Sequence, residues 1–564
     1  MTVFVSAPWR SSGKTIVSLA LARAALNAGH QVQTYKKGPD YIDPRWLQLG
    51  SGRACYNLDL NVQSRSEIQR LFNTMRQPAD MALVEGTMGL HDGLADDGSD
   101  SNAAIAGMLG TEVVLVVDGR GMNRTVAALL DGLQRFDTRL VFAGVLFNRV
   151  RSTRHASKLR KAVEQHTDLR VLGELPESAS LNLPEQELGL TPVADMPAAD
   201  ALVQAAADLL RENCELDVLF MAMRSESGTN TTEAPAAVAK PLDNLLAVTD
   251  RPFSDSPLSG PVAANLANAS CTEPESPDAT SPGDELPAER TFSPVSVESA
   301  SSAHNTRSTS MPLSSSYAGL NIGLAHDQAF HFYYADDLDR LRALGVRLVE
   351  TSPIHDAMPA DLDGFIIGGG FPERHAAALS ANDTFRVALA RQIEAGLPVH
   401  AECAGLMYLC RSLTVDDIGW EMVGALAGDV SLHQRPVGRG YVRLQPDLDR
   451  ATSMGLSWPS AARQHEPAVV PAHEFHHSTI AFDVAPECLY RVARGHGLDG
   501  AYDGVCKHNV IASYAHFRHT AATPWIDAFL ERVKKARQCE SRKSSSYAAA
   551  LSPNATTGIR SCSR

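Results

Sequence analysis

Two stretches of the chain carry residues suited to holding phosphates and a metal ion, and two others carry a nucleophile and a base. The first is Ser6-Ala7-Pro8-Trp9-Arg10-Ser11-Ser12-Gly13-Lys14-Thr15, lying between a strand-like run and a helix-like one. A phosphate-binding loop needs main-chain N–H groups at a helix N-terminus, a Lys near the β/γ oxygens and a hydroxyl for Mg2+. Gly13, Lys14 and Thr15 supply these, although Pro8 stands where the first glycine of the usual pattern would fall. Alone, Gly-Lys-Thr is a weak signal that a plain helix start would also produce. Lys36-Lys37-Gly38-Pro39-Asp40-Tyr41-Ile42-Asp43-Pro44 and Val84-Glu85-Gly86-Thr87-Met88-Gly89-Leu90 strengthen it. Each ends a strand-like run, so Asp40 and Glu85 are expected at the same sheet edge as Thr15, where Mg2+ and a nucleotide bind. Either acid by itself would read as a cap or a surface residue. Asn148, in Phe147-Asn148-Arg149 at another strand end, is a candidate for a nucleobase edge, with a turn residue as the plainer reading.

The nucleophile lies in Pro398-Val399-His400-Ala401-Glu402-Cys403-Ala404-Gly405-Leu406-Met407-Tyr408, a strand, a sharp turn at Cys403 and a helix. Small neighbours permit the strained turn, and a helix N-terminus favours a thiolate. The run Ile367-Gly368-Gly369-Gly370-Phe371-Pro372-Glu373 brings backbone N–H groups suited to an oxyanion, with Ala404 beside them. Ala512-Ser513-Tyr514-Ala515-His516 ends a strand and offers the base, His516. A lone cysteine is usually inert, but an elbow, a glycine run and a distal His together reverse that expectation. His473, Glu474 and His477 meet the His-Glu-x-x-His spacing of zinc hydrolases. That motif requires a helix, whereas the β-like run at 479–482 follows here, so a structural or substrate-facing segment is expected.

These residues need elements to hold them. Apolar runs over 3–6, 32–35, 81–85, 113–118, 140–147 and 171–174 alternate with amphipathic stretches such as 15–28 and 124–135. Near-continuous apolar strands separated by helices predict a parallel sheet covered on both faces. The alternation resumes at 320–325, 346–350, 364–367 and 399–401. Between the two parts, 225–316 is rich in Ser, Pro, Thr, Ala and Glu and too poor in periodic apolar residues to offset the entropy of ordering. The expected organisation is an ATP-binding domain over 1–215, a low-complexity linker over 216–318, an α/β domain over 319–536 and a disordered tail over 537–564.

The 564 residues carry 51 Lys+Arg against 65 Asp+Glu, a formal charge of -14. That acidity argues against nonspecific nucleic-acid binding, which needs a basic surface. No apolar run is long enough for a membrane helix, nothing resembles a signal peptide, and nine scattered cysteines fit reduced thiols in the cytoplasm.

A nucleotide site fused to a Cys–His site points to glutamine-dependent amidation, and the motifs then become specific. The chain resembles the cobyrinic (or hydrogenobyrinic) acid a,c-diamide synthases across nearly all of 2–215 and 320–525. The carriers are the Gly-Lys-Thr loop, Lys-Gly-Pro-Asp-Tyr-Ile-Asp-Pro, Val-Glu-Gly-Thr-Met-Gly-Leu-His-Asp-Gly, Gly-Gly-Gly-Phe-Pro-Glu, Ala-Glu-Cys-Ala-Gly-Leu-Met-Tyr-Leu and Ala-Ser-Tyr-Ala-His. The resemblance implies a P-loop NTPase-type parallel sheet similar to dethiobiotin synthetase, and a glutamine amidotransferase-type α/β domain. It implies a ligase of cobalamin biosynthesis using ATP, Mg2+ and glutamine on a corrinoid, with an acyl phosphate intermediate. Cys403 would form a glutamyl thioester aided by His516, with Gly369, Gly370 and Ala404 holding the oxyanion. Gly13, Lys14, Thr15 and Asn148 would bind ATP, and Thr15, Asp40 and Glu85 the metal. A homodimer is compatible with this reading.

There are departures. Arg10-Ser11 stand where the family places Ser-Gly, Gln186-Glu187 replace Arg-His in the Leu-Pro-Glu segment, Ala404 replaces a glycine, and His516-Phe517-Arg518 replaces His-x-His. Cobyric acid synthase and nickel-sirohydrochlorin diamide synthase are related alternatives. A non-catalytic nucleotide switch or metallochaperone-like module is the alternative from another class, and glutaminase activity separates it.

Overall fold

The computed structural model describes residues 2–178, 185–186, 189–224, 317–454 and 469–550, with 185–186, 189 and 540–550 as backbone only. The predicted linker over 225–316 lies outside the described residues, as do 183–184 and 187–188 with Glu187.

The N-terminal part is built on seven strands: β1 (Val3–Ser6), β2 (Val32–Lys37), β3 (Tyr56–Leu58), β4 (Met81–Glu85), β5 (Glu112–Asp118), β6 (Val141–Val150) and β7 (Val171–Pro176). They form one sheet in the order β3-β2-β4-β1-β5-β6-β7, every pairing parallel. Helices cover both faces, so the strands are apolar throughout: Val3 and Val5 enter one core layer and Phe4 the other. The first helix, α1 (Lys14–Asn27), starts where Gly13 takes a left-handed φ of 93° and stops before Gly29 at 87°. The edge strand β3 escapes a pattern reading because three residues are too few to show a period.

Two domain boundaries move. The helix Leu216–Met223 falls inside the stretch assigned to the linker, yet its Leu219, Ala222 and Met223 are buried in the nucleotide-domain core. Their i, i+3, i+4 spacing presents one apolar stripe to the sheet. At the other end the helix Trp525–Ala550 runs through the assigned tail boundary, anchored by Ile526, Phe529, Leu530 and Val533 in a second core. Beyond the boundary Arg537 donates to the Gly319 carbonyl at 2.8 Å.

The C-terminal part carries a nine-stranded sheet, ordered Arg347–Thr351, Asn321–Ala325, Gly364–Ile367, Val399–Glu402, Val510–Ser513, Tyr502–Lys507, Glu487–Arg494, Gly438–Pro446 and Val470–His476. The first five are parallel and carry the thiol site at their C-terminal ends. The rest continue antiparallel, an extension the sequence reading did not anticipate. No helix among the described residues is long and apolar enough to cross a membrane.

Candidate active site

At the nucleotide side, β1 delivers the loop Ala7–Gly13 to the start of α1. Gly13 is required there, since a Cβ would sit 2.1 Å from Nδ2 of Asn148. That Asn148 amide donates to the Ser12 carbonyl at 3.1 Å, and its Oδ1 accepts from Arg149 N at 3.0 Å, so the side chain braces the loop. Arg149 adds a second brace, donating to the Ser11 carbonyl at 2.7 Å and pairing with Asp118 at 2.9 Å. Ser11 adopts a left-handed φ of 56°.

Lys14 donates to the Met88 carbonyl at 2.8 Å and reaches toward the Trp9 carbonyl at 3.5 Å, folded against its own loop. Burial, with Lys36 nearby, pushes its pKa down to about 8. The Thr15 hydroxyl donates to Glu85 Oε1 at 2.6 Å. Lys36, at the end of β2, bridges that same Glu85 oxygen at 2.7 Å and Asp43 at 2.6 Å. Burial works against the Lys36 charge, but Asp43 and Glu85 outweigh it and raise its pKa. Glu85 is fully buried and its Oε2 has no hydrogen-bond partner. Asp40 accepts through Oδ1 from Ile42 N and Asp43 N, both at 2.9 Å, capping the helix Asp43–Ser51. Burial and then Asp43 push its carboxyl up to about 7.

Thr15 and Glu85 thus meet, with Asp40 and Asp43 across Lys36. An oxygen-only set with an unpartnered buried carboxylate oxygen fits a hard divalent cation. Among the described residues no group of three or more His, Cys, Asp or Glu forms a protein-only cage. A nucleotide-bound Mg2+ takes much of its coordination from phosphates and water, so few protein ligands suffice.

At the thiol side, Val399–Glu402 ends at Cys403, whose backbone is forced to φ 47°, ψ -102° before the helix Ala404–Leu409. Cys403 N donates to the Ser513 carbonyl at 2.7 Å, tying the turn to the strand that leads to His516. Gly405 packs so closely that a Cβ would lie 2.3 Å from the Ile367 carbonyl oxygen. The elbow is therefore held from both sides in a conformation costly for a non-glycine residue.

His516 lies close enough to Cys403 to interact with it electrostatically, and the Cys403 Sγ itself lies 3.7 Å from the Phe475 carbonyl oxygen. Burial opposes its charge, but Cys403 and then Glu402 hold its pKa up to about 10. The Gly369–Gly370 strand pairs antiparallel with Phe330–Phe332 beside this pair. Gly370 lines a cavity of about 340 Å³ together with Cys403, Glu373, Arg374, Met407 and Phe475. Gly369 lies behind the imidazole, where a Cβ would approach His516 Cε1 to 2.3 Å. Ala404 opens the helix after the elbow, so its N–H has no carbonyl within that helix.

His473 and Glu474 lie in the strand Val470–His476 and His477 follows its end, so the helix a zinc hydrolase motif needs is absent from this segment. Glu474 is spent on His496 N and Gly497 N, at 2.7 and 2.8 Å. His473 instead exchanges two backbone hydrogen bonds with His516, at 2.7 and 3.2 Å, and so locates the base.

The two sites touch. Tyr41, one residue from Asp40, stacks on Phe332 at 5.1 Å and lies 5.2 Å from the His516 ring. Arg518, buried two residues beyond His516, pairs with Asp336 at 2.9 Å and donates to the Asn57 carbonyl at 2.7 Å. Asn57 in turn donates to the Gly38 and Asp40 carbonyls at 2.8 and 2.7 Å. Arg149, Glu402, Tyr41 and Arg518 carried no sequence signal for these contacts, because each acts on a residue distant in the chain.

Residues 10–190 match the family described as CobQ/CobB/MinD/ParA nucleotide binding domain, and 321–523 match the CobB/CobQ-like glutamine amidotransferase domain. Cobyrinate a,c-diamide synthase of Magnetococcus marinus is 33% identical, the match covering 95% of this chain and 97% of that one. The enzyme of the same name from Listeria innocua is 32% identical over 91% and 95%. Hydrogenobyrinate a,c-diamide synthase of Mycobacterium tuberculosis is 33% identical over 93% and 95%. With about a third of the residues identical over nearly the whole length of both chains, this chain belongs to the cobyrinate (or hydrogenobyrinate) a,c-diamide synthase family.

Proposed function

We propose that this protein amidates the a and c acetate carboxylates of cobyrinic or hydrogenobyrinic acid in the cytoplasm, alone or as a homodimer, with glutamine as nitrogen donor and ATP as activator. The observation that carries the reading is the loop 38–44: it sets Asp40 among the charges around Lys36 and Glu85 and Tyr41 against His516, so one segment serves both chemistries.

At the thiol site, Cys403 sulfur bonds to the glutamine amide carbon while the carbon–nitrogen bond breaks. His516 gives its proton to the departing ammonia. Backbone N–H groups at Gly370 and Ala404 face the developing oxyanion, and Gly369 keeps His516 in place. Water then releases glutamate. At the other site, the Gly13 to Thr15 backbone and Lys14 hold ATP phosphates while a substrate carboxylate attacks the γ-phosphorus and ADP leaves. Thr15, Glu85 and Asp40 would hold Mg2+, which supplies charge neutralisation at the phosphates when bound. Lys36 keeps these acids together without it. Asn148 and Arg149 fix the loop under the nucleotide. Ammonia displaces phosphate from the acyl phosphate, giving one amide, and a second cycle gives the diamide.

The test is product mass after incubation with cobyrinic acid, ATP and Mg2+, for wild type and Cys403→Ala, with glutamine or ammonium chloride. Two amides gained by wild type, lost with glutamine but kept with ammonium in the variant, support the proposal. No amidation of cobyrinic or hydrogenobyrinic acid by wild type with either donor overturns it in favour of a binding module.

A further inference from the structure

A general base that activates a thiol works best when a third group fixes its ring and stabilises its positive charge. The residue two beyond His516 on the same strand end is Arg518, a cation locked to Asp336, so no carboxylate comes from there. One comes instead from the elbow strand. Glu402, the residue immediately before Cys403, is buried, and its Oε1 accepts from His400 Nε2 at 2.9 Å and from Phe517 N at 3.1 Å. His400 is itself clamped, stacked on Trp525 with ring centroids 4.4 Å apart and planes 16° from parallel. With one oxygen fixed, the other points at the base: Oε2 lies 3.7 Å from His516 Nδ1. That Nδ1 is buried and has no hydrogen-bond partner. Such contacts are commonly long before substrate binds and shorten in the reacting complex.

We infer that Glu402 is the positioning residue of the thiol site, its carboxylate orienting the His516 imidazole and holding the imidazolium beside the Cys403 thiolate. The inference rests on the reading of Cys403 and His516 as a glutaminase pair.

The other titratable groups facing His516 are Cys403, Tyr41, His473 and His476. Burial keeps His473 and His476 neutral, with pKa values down to about 3, and lifts Tyr41 well above its ordinary value. Glu402 is the carboxylate of the set. Burial opposes its ionisation, but His400 and His516 outweigh burial and hold its pKa below the usual value. It is therefore anionic where the enzyme works. Glu402 also reaches the small cavity that carries Tyr41, Tyr334 and Asp337, which places it between the thiol and the loop of the other site.

The experiment compares full-length wild type, Glu402→Gln and Glu402→Asp. Three readouts are taken: glutaminase kcat and KM, ammonium-dependent amidation, and the pH profile of Cys403 alkylation by iodoacetamide. The expected result for Glu402→Gln is a 10- to 100-fold fall in glutaminase kcat with KM for glutamine changed less than threefold. Ammonium-dependent amidation stays at wild-type rate, and the alkylation profile moves at least one unit toward alkaline pH. Glu402→Asp recovers part of the loss because it restores the charge. Unchanged kcat and an unmoved alkylation profile in Glu402→Gln overturn the inference. If Glu402→Gln also loses ammonium-dependent amidation, the decision passes to Glu402→Asp: a lowered kcat with a displaced profile supports the role, and wild-type behaviour refutes it. Absence of glutaminase in wild type removes the functional reading, and the alkylation profiles then decide by themselves whether Glu402 acts on the pair.

Discussion

Replacing Gly369 by alanine tests the geometry of the thiol site directly. The new Cβ would stand 2.3 Å from His516 Cε1, against the 3.4 Å at which ordinary van der Waals contact begins. The imidazole must therefore retreat by about 1.1 Å. It cannot swing freely, because Phe332 lies 3.1 Å from the same Cβ and Tyr41 stacks beyond it. The displacement thus passes into the distance between His516 and the sulfur. A misplacement of about 1 Å at a reacting pair costs about 100-fold in rate. The expected outcome is a fall of that order in glutaminase kcat, read by coupled detection of glutamate. Amidation with ammonium chloride should stay within about threefold of wild type, because the nucleotide loop and its acids lie elsewhere. Glutaminase kcat within threefold of wild type would refute the reasoning, since it would mean that neither the ring position nor the glycine contact matters to the chemistry.

Glu85→Gln should abolish amidation with either nitrogen donor while leaving basal glutaminase activity nearly intact, measured side by side; equal loss of both activities counts against separate sites. Ser11→Gly should raise stability by up to about 1 kcal/mol in urea denaturation, because Ser11 sits at φ 56° and glycine's extra unfolded freedom offsets only part of the relieved strain. Stability should also fall as pH drops. Burial holds His331, His473 and His476 down to about pKa 3, below their unfolded value near 6.5. Their contribution is fully present above about pH 6.5 and is lost between there and pH 3, as the unfolded chain takes up protons the folded chain refuses. His516 has the opposite sign: raised to about 10, it contributes stability below about pH 6.5 that disappears as pH rises through 10. Denaturation midpoints that do not change between pH 7 and pH 5 would contradict the first part.

Some of the amino-acid pattern translates into structure without help from distant contacts. A phosphate loop is a strand end, a short turn and a helix start, and an elbow is a strand, one strained residue and a helix. Gly13–Thr15 and Glu402–Gly405 are contiguous, so the strand, turn and helix around them are legible in residue order, while distant residues such as Asn148 and Ser513 hold the turns in place. The same holds for β1, β4 and β5, whose apolar runs are buried on both faces of a parallel sheet. Where the pattern is weak the reading falls short: three residues of β3 show no period, and the stripe of Leu219, Ala222 and Met223 is short enough to be lost against a Ser-rich stretch that follows.

What the tertiary structure decides is which distant groups face one another, since that depends on sheet order and register and not on spacing along the chain. Glu85 meets both Thr15 and Lys36 because β2, β4 and β1 are adjacent strands. Asn148 braces the loop because β6 brings it beneath Gly13 with no room for a Cβ between them. Glu402 meets His516 across 114 residues because the strands Val399–Glu402 and Val510–Ser513 pair in parallel, Glu402 opposite Ser513. Tyr41 reaches His516 only after two independent sheets have packed together. Local chemistry is written in residue order, but the coupling of one site to the other is a property of packing, where each contact depends on many others being made first.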